Sequence, residues 1–182
     1  MIKSNLLQIA SSISKPSVLL SKLNEILLFQ NTGNFVTAFY GIYHQVTREF
    51  IYSSAGHNTP YIISNNKIEE LDCSNNGYPL AIINNEEINK SGKSYQDIKI
   101  RLGRGSKLLL FTDGLVEAVS ISEQKTNEKT DDFGSTALKE TLLQFHNLPV
   151  KKFLDNVVLK LVEFREDTSF DDDVCIICLD VQ

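Results

Sequence analysis

An α+β fold with a largely antiparallel sheet is predicted by three observations. Helical apolar repeats open the chain, a block of aromatic and β-branched runs separated by turn residues follows, and further helical stripes return before a closing apolar run. Strands and helices therefore come in blocks without strict β-α alternation, the pattern of an α+β arrangement. A chain of 182 residues, 42% of them hydrophobic and 23% charged, is long enough for one sizeable core. A single domain over residues 1–182 is the expectation.

The elements follow in order. Ile2, Leu6, Ile9, Ala10 and Ile13 recur at helical spacing, and Pro16 then marks the first turn of a second helix carrying Leu19, Leu20, Leu23, Ile26 and Leu27. After the polar turn 31–34, the runs Phe35–Tyr43, Glu49–Ser54 and Pro60–Ile63 predict an antiparallel meander, because aromatic and β-branched side chains fit a pleated, half-buried surface. Asn65-Asn66 predicts a hairpin into a short strand at Lys67–Leu71, since asparagine tolerates left-handed backbone. Residues 73–92 read as loop. Tyr95–Leu102 and Lys107–Thr112 read as strands joined by the turn Gly103-Arg104-Gly105-Ser106, and 120–132 reads as a polar loop. Leu138, Leu142 and Phe145 share one helical face. Pro149 opens a last helix with the stripe Leu154, Val157, Val158, Leu161 and Val162. Val174–Val181 is apolar on both faces and is expected inside a sheet.

Charge and composition exclude several functions. A net charge of −5, with no basic cluster larger than Arg101, Arg104 and Lys107, argues against nucleic-acid binding. No apolar stretch reaches the roughly 20 residues of a membrane span and no signal-peptide pattern opens the chain, so a soluble, cytoplasmic protein without membrane association is expected. The C-x-x-C of Cys175 and Cys178 falls in an apparent strand, where residues three apart face opposite ways; together with Cys73 these are read as buried structural thiols rather than zinc ligands.

Two acidic clusters carry the chemistry. Thr112-Asp113-Gly114-Leu115-Val116-Glu117-Ala118 follows the apolar run 107–111, and Asp171-Asp172-Asp173 precedes the last one. Carboxylates beside a buried strand are solvated, paired or bound to a cation, and hard ions such as Mg²⁺ and Mn²⁺ favour such oxygens. The competing reading is a plain Asp-Gly turn and a solvated acidic loop. His57 in Ala55-Gly56-His57-Asn58 has no nucleophile motif paired with it and reads as a turn histidine. Asp132-Phe133-Gly134 lacks every other kinase element.

In order, F-V-T-A-F-Y-G-I-Y, S-A-G-H-N-T-P-Y, G-Y-P-L-A, L-L-L-F-T-D-G-L-V-E-A, D-D-F-G and F-D-D-D-V-C-I-I-C-L resemble the SpoIIE-type branch of the metal-dependent serine/threonine phosphatases, along the whole chain. The resemblance implies a PPM-type α-β-β-α sandwich with a dinuclear Mn²⁺ or Mg²⁺ centre between its sheets. It further implies hydrolysis of phosphoserine or phosphothreonine by a metal-bound water. The substrate it implies is a phosphorylated anti-anti-sigma-type protein in bacterial partner-switching signalling.

By the same resemblance Asp113 and Asp172 are metal ligands with Asp173 beside them, and Asp171 is the alternative in a slipped register. Gly114 permits a tight turn there, Glu117 orients the loop, and Thr37, Gly56, His57 and Asn58 are structural or peripheral. Three departures stand out. The family's D-x-x-G-H-G element is absent from the 182 residues, which predicts an N-terminally incomplete sandwich and an incomplete dinuclear centre; Ala81 stands where glycine is expected, and Cys175 where threonine or serine is expected. Missing strands would expose sheet edges, so homodimerisation or association with another chain is expected. A catalytically silent phosphatase-like domain that binds a phosphoprotein or regulatory partner is the alternative reading, and a plain dimeric scaffold the third.

Overall fold

The computed structural model describes residues 14–30, 33–73, 77–120 and 132–182. The predicted first helix, and all of the predicted polar loop except its two ends, lie outside the described residues. The rest falls into two compact units, one built from the chain up to His57 together with Asp72–Leu102, the other from Asn58–Leu71 and Gly103–Gln182.

In the first unit, helix α1 (Pro16–Phe29) covers a sheet in which β2 (Glu49–Ala55) lies between β1 (Ala38–His44) and β5 (Ile98–Arg101), both antiparallel to it. Proline at the first helical position has no amide to leave unpaired, and Leu19, Leu20, Leu23 and Leu27 form the buried row. That row packs with Ala55, Leu80, Ile88 and Tyr95, while Phe39, Phe50 and Tyr52 stack with one another, ring centroids 5.4–6.2 Å apart. The stretch expected to be loop contains helix α2 (Asn85–Lys90), capped by the Asn84 side chain accepting from Glu87 N–H. The surrounding polarity hid it, because one buried residue, Ile88, is its whole apolar face.

In the second unit the strand order is β4 (Lys67–Glu70), β3 (Tyr61–Ser64), β6 (Lys107–Phe111), β7 (Ile176–Asp180), all neighbours antiparallel. Asn65 and Asn66 both have positive φ, 49° and 59°, which makes the predicted hairpin. The continuous meander is not what forms: β3 pairs with β4 and β6, never with β2, and the turn 103–106 links strands of different sheets. Period-two hydrophobicity reports a half-buried strand but carries no partner information. For the same reason the closing strand is misplaced by the sequence. Among the described residues β7 pairs only with β6 and stands at the end of the sheet; Ile176 and Cys178 pack on the core, whereas Ile177 is 59% exposed.

Short helices α3 (Asp113–Val116) and α4 (Phe133–Thr136) lead to α5 (Leu138–Phe145) and α6 (Val150–Arg165). These helices close the core of Ile63, Leu109, Phe111, Leu115, Phe133, Leu138, Leu142, Phe153, Val157 and Leu161. Each large side chain fully buried there contributes about 1.5–3 kcal/mol. The buried row of α6 is Phe153, Val157, Leu161 and Arg165, rotated from the predicted stripe, so Val158 is 41% exposed. An i, i+4 row ending in arginine does not look like a core row in sequence, and it is the row that reaches the acidic loop.

Candidate functional site

Strand β6 ends at Phe111, and β7 begins at Ile176 directly opposite it. This register brings the residues that follow one strand beside those that precede the other. Thr112 fastens them: its backbone N–H donates to Cys175 O (3.1 Å), its hydroxyl donates to Asp173 O (2.8 Å), and that same hydroxyl oxygen accepts from Cys175 N–H (2.9 Å). Gly114 completes the contact, since a Cβ there would fall 2.7 Å from Asp173 O and 3.1 Å from Asp172 O. Only glycine lets the two backbones approach this closely.

Asp113 and the Asp171–Asp173 run, distant in sequence, are thus neighbours in the second unit. Asp113, Asp172 and Asp173 are exposed. Asp113 Oδ1 accepts from Gly114 N–H (3.1 Å) and Asp172 Oδ1 accepts from Asp173 N–H (2.7 Å). Local amide contacts of this kind orient a carboxylate while leaving its other oxygen for solvent or a cation.

Asp171 is differently employed. The buried Arg165, 2% exposed, donates from Nη1 to Asp171 Oδ2 (2.9 Å) and from Nε to Ser169 O (2.9 Å), and its guanidinium lies 5.8 Å from the Phe170 ring centroid. This carboxylate is thus engaged by a guanidinium, whereas Asp172 Oδ1 accepts only from the next backbone amide among the contacts described above. Arg165 has no signal in the sequence, because a basic residue in the last turn of a helix is ordinarily a solvent-exposed partner of the helix dipole. Val158, Phe170 and residues 171–174 line a concavity of about 510 Å³ beside the acidic run.

The other expected positions lie elsewhere. Glu117 lines a separate concavity with Asn58, Tyr61, Glu70, Asp132 and Gly134, and its backbone N–H donates to Asp113 O (2.8 Å). Thr37, Gly56 and His57 belong to the first unit, at the ends of β1 and β2. Ala81, where glycine was expected, has φ +68°, the left-handed geometry that glycine adopts without strain. Cys175 is exposed, which corrects its reading as a buried thiol; Cys178 is partly buried on the core, and desolvation pushes its thiol up to about 11.

The residues present suit one hydrated Mg²⁺ or Mn²⁺, an ion that needs only one or two protein carboxylates and otherwise keeps water. Among the described residues no group of three or more His, Cys, Asp or Glu gathers to enclose an ion. Those residues therefore do not by themselves compose a dinuclear cage.

The helices and antiparallel sheets match the PP2C-type phosphatase fold of solved structures. The SiaA-PP2C domain of Pseudomonas aeruginosa superposes with a TM-score of 0.75 at 16% identity, over 100% of this chain and 66% of that one. A chain holding the PP2C phosphatase domain and a fragment of the regulatory domain of the cell fate determinant SpoIIE from Bacillus subtilis gives 0.72 at 18%, over 99% and 48%. RsbX in complex with magnesium gives 0.61 at 17%, over 97% and 69%. This chain thus spans about two thirds and about half the length of the first two. No curated protein matches the sequence. The sequence model of the family described as Stage II sporulation protein E (SpoIIE) matches residues 1–182, and the chain belongs to that family. Among the described residues no helix is long and apolar enough to cross a membrane.

Proposed function

We propose that the chain is a metal-dependent serine/threonine phosphatase domain, with residues 1–182 acting as one domain on a phosphorylated anti-anti-sigma-type protein in partner-switching signalling. The observation that supports this reading is the stitching of Thr112–Gly114 to Asp172–Cys175, which brings together the backbones that carry two sequence-distant aspartates, with a contact only glycine allows. Magnesium held by the related fold of RsbX supports the choice of ion.

Asp113 and Asp172 would hold Mg²⁺ or Mn²⁺, with Asp173 beside them. When bound, such an ion neutralises phosphoryl charge and lowers the pKa of a coordinated water. The protein's own part is positional. Thr112 locks the two loops together, Arg165 draws Asp171 away from the ligand set, and the concavity beside residues 171–174 receives the phosphorylated segment against Val158 and Phe170. We place the protein in the cytoplasm as a homodimer, for which the one-sided pairing of β7 and the exposure of Ile177 offer an edge.

Phosphate release from a phosphoserine protein and from a small aryl phosphate, with Mn²⁺ present, tests the reading. Wild type should turn over and Asp113→Asn should not, with Mn²⁺ affinity by calorimetry falling in parallel. Absence of both turnover and Mn²⁺ binding in the wild type overturns it. A second reading is a silent phosphatase-like domain that binds a phosphoprotein or regulatory partner. It predicts capture of the phosphoprotein with no release of phosphate.

A further inference from the structure

At the end of β6 opposite Asp113, a second polar concavity of about 530 Å³ opens in the same unit, and Arg104, Lys107, His146, Asn66, Asn147 and Asp180 line it. With β6 five residues long, its two ends are about 13 Å apart at 3.3 Å per residue. The volume falls within the range of small-molecule sites, roughly 300–1,000 Å³.

Its chemistry centres on Lys107. The side chain of this lysine is 8% exposed, and its Nζ lies 3.7 Å from Asp180 Oδ1 and 5.9 Å from the Phe153 ring centroid. A charge-assisted hydrogen bond spans about 2.7–2.9 Å, so Asp180, its ion-pair partner among the described residues, balances this buried ammonium only loosely. The lining also carries Arg104, His146 and the amide side chains of Asn65, Asn66 and Asn147. Arg104 projects from the turn 103–106, which is pinned by Gly105 N–H donating to Val181 O (2.6 Å) and by the Ser106 hydroxyl donating to Gly103 O (2.6 Å). His146 Nδ1–H donates to Leu143 O (2.6 Å), leaving Nε2 as the ring's other polar atom. Asn66 sits in the rigid hairpin turn, and Asn147 follows the end of α5. Two basic side chains, Arg104 and Lys107, thus share the lining with three amides and the carboxylate of Asp180.

We propose that this concavity binds a small phosphate-bearing anion. Three or four phosphoryl oxygens can engage the guanidinium fork, the ammonium and the amides together, whereas a carboxylate offers two. The inference does not rest on the phosphatase reading, since no residue is shared with the aspartate cluster.

The test uses the full chain in buffer with EDTA. Inorganic phosphate, O-phosphoserine and a nucleoside monophosphate are titrated while backbone amide resonances are followed by NMR. Saturable shifts are expected at Asn66, Gly105 and Asn147 but not at Gly114 or Asp173. Binding should weaken at least about tenfold in Arg104→Gln, an exposed position whose replacement spares the core, and should persist in Asp113→Asn. Lys107→Met, checked for folding by thermal melting, should abolish it. A monoester that binds more tightly than inorganic phosphate identifies a metabolite as the ligand, and equal binding identifies free phosphate. No saturation by about 10 mM, shifts confined to the aspartate cluster, equal displacement by chloride at matched ionic strength, or unchanged binding in Arg104→Gln would overturn the proposal.

Discussion

Arg165 shows how much one side chain decides. Its guanidinium is buried, yet it pairs with an aspartate whose side chain is 69% exposed, so the ion pair is half solvated and its value lies in shaping the loop. Replacing it with methionine keeps much of the packing volume but removes both fixed donors. If Asp113 and Asp172 hold Mn²⁺ as proposed, Mn²⁺ affinity and turnover in Arg165→Met should fall by roughly 10-fold, because the loop that carries Asp172 loses the donors that fix Ser169 and Asp171. Arg165→Lys should rescue little, because an ammonium cannot serve Ser169 O and Asp171 Oδ2 with a fork. Full rescue by lysine, measured by calorimetric Mn²⁺ titration, would show that charge alone matters. Ala81 makes the opposite case. A non-glycine residue at φ +68° costs about 1–2 kcal/mol, so Ala81→Gly should stabilise the protein by about 1 kcal/mol after glycine's own entropic penalty, read from denaturant midpoints.

Among the elements, α1 and the 80–85 segment depend on one buried polar residue. Asn24, fully buried, donates from Nδ2 to Ile83 O (3.0 Å) and Asn85 Oδ1 (2.9 Å), and its Oδ1 accepts from Ala81 N–H (2.8 Å). Every polar atom of its amide is used, so the residue ties helix to loop instead of penalising the core. Asn24→Leu keeps the volume but strands three partners. Urea unfolding should show a loss of about 2–4 kcal/mol, larger than typical for a surface-helix polar residue. The sequence hints at this only faintly, since an asparagine among the leucines of an amphipathic helix reads as one more polar-face residue.

For the molecule as a whole, the shifted groups predict an alkaline limit to stability. Desolvation raises Cys178 from 9.0 to about 11, raises Tyr95 from 10.0 to about 12, and raises Tyr52 further still. Each folded pKa exceeds its unfolded value, so the contribution is intact below the unfolded pKa and is lost as pH rises through the folded one. Unfolding free energy should therefore decline between about pH 9 and pH 12, beginning with the thiol, and Cys178→Ala should flatten the early part of that decline. Glu49 is shifted down by its hydrogen bond from Lys99, and Asp167 by its hydrogen bond from Ser169. Their contribution is present above the unfolded carboxylate pKa and fades as pH falls through the folded one. Both are partly exposed and their hydrogen bonds lie at the surface, where solvent screens them, so the acid limb should be shallow. At pH 8 a thiol reagent should modify exposed Cys175 well before Cys178.

What the amino-acid sequence determined by itself was the kind of element at most positions and that two acidic runs flank apolar strands. Helical stripes, the Asn65-Asn66 turn and the Asp-Gly step are local properties, written within a few residues of one another. Tertiary structure alone decided which strands pair, that β7 ends its sheet among the described residues, that α6 turns Arg165 into the core, and that Thr112 ties the loop of Asp113 to Asp173 and Cys175. Each of these is a contact between residues far apart in the chain, and hydrophobic periodicity records how deeply a residue is buried but not what it is buried against.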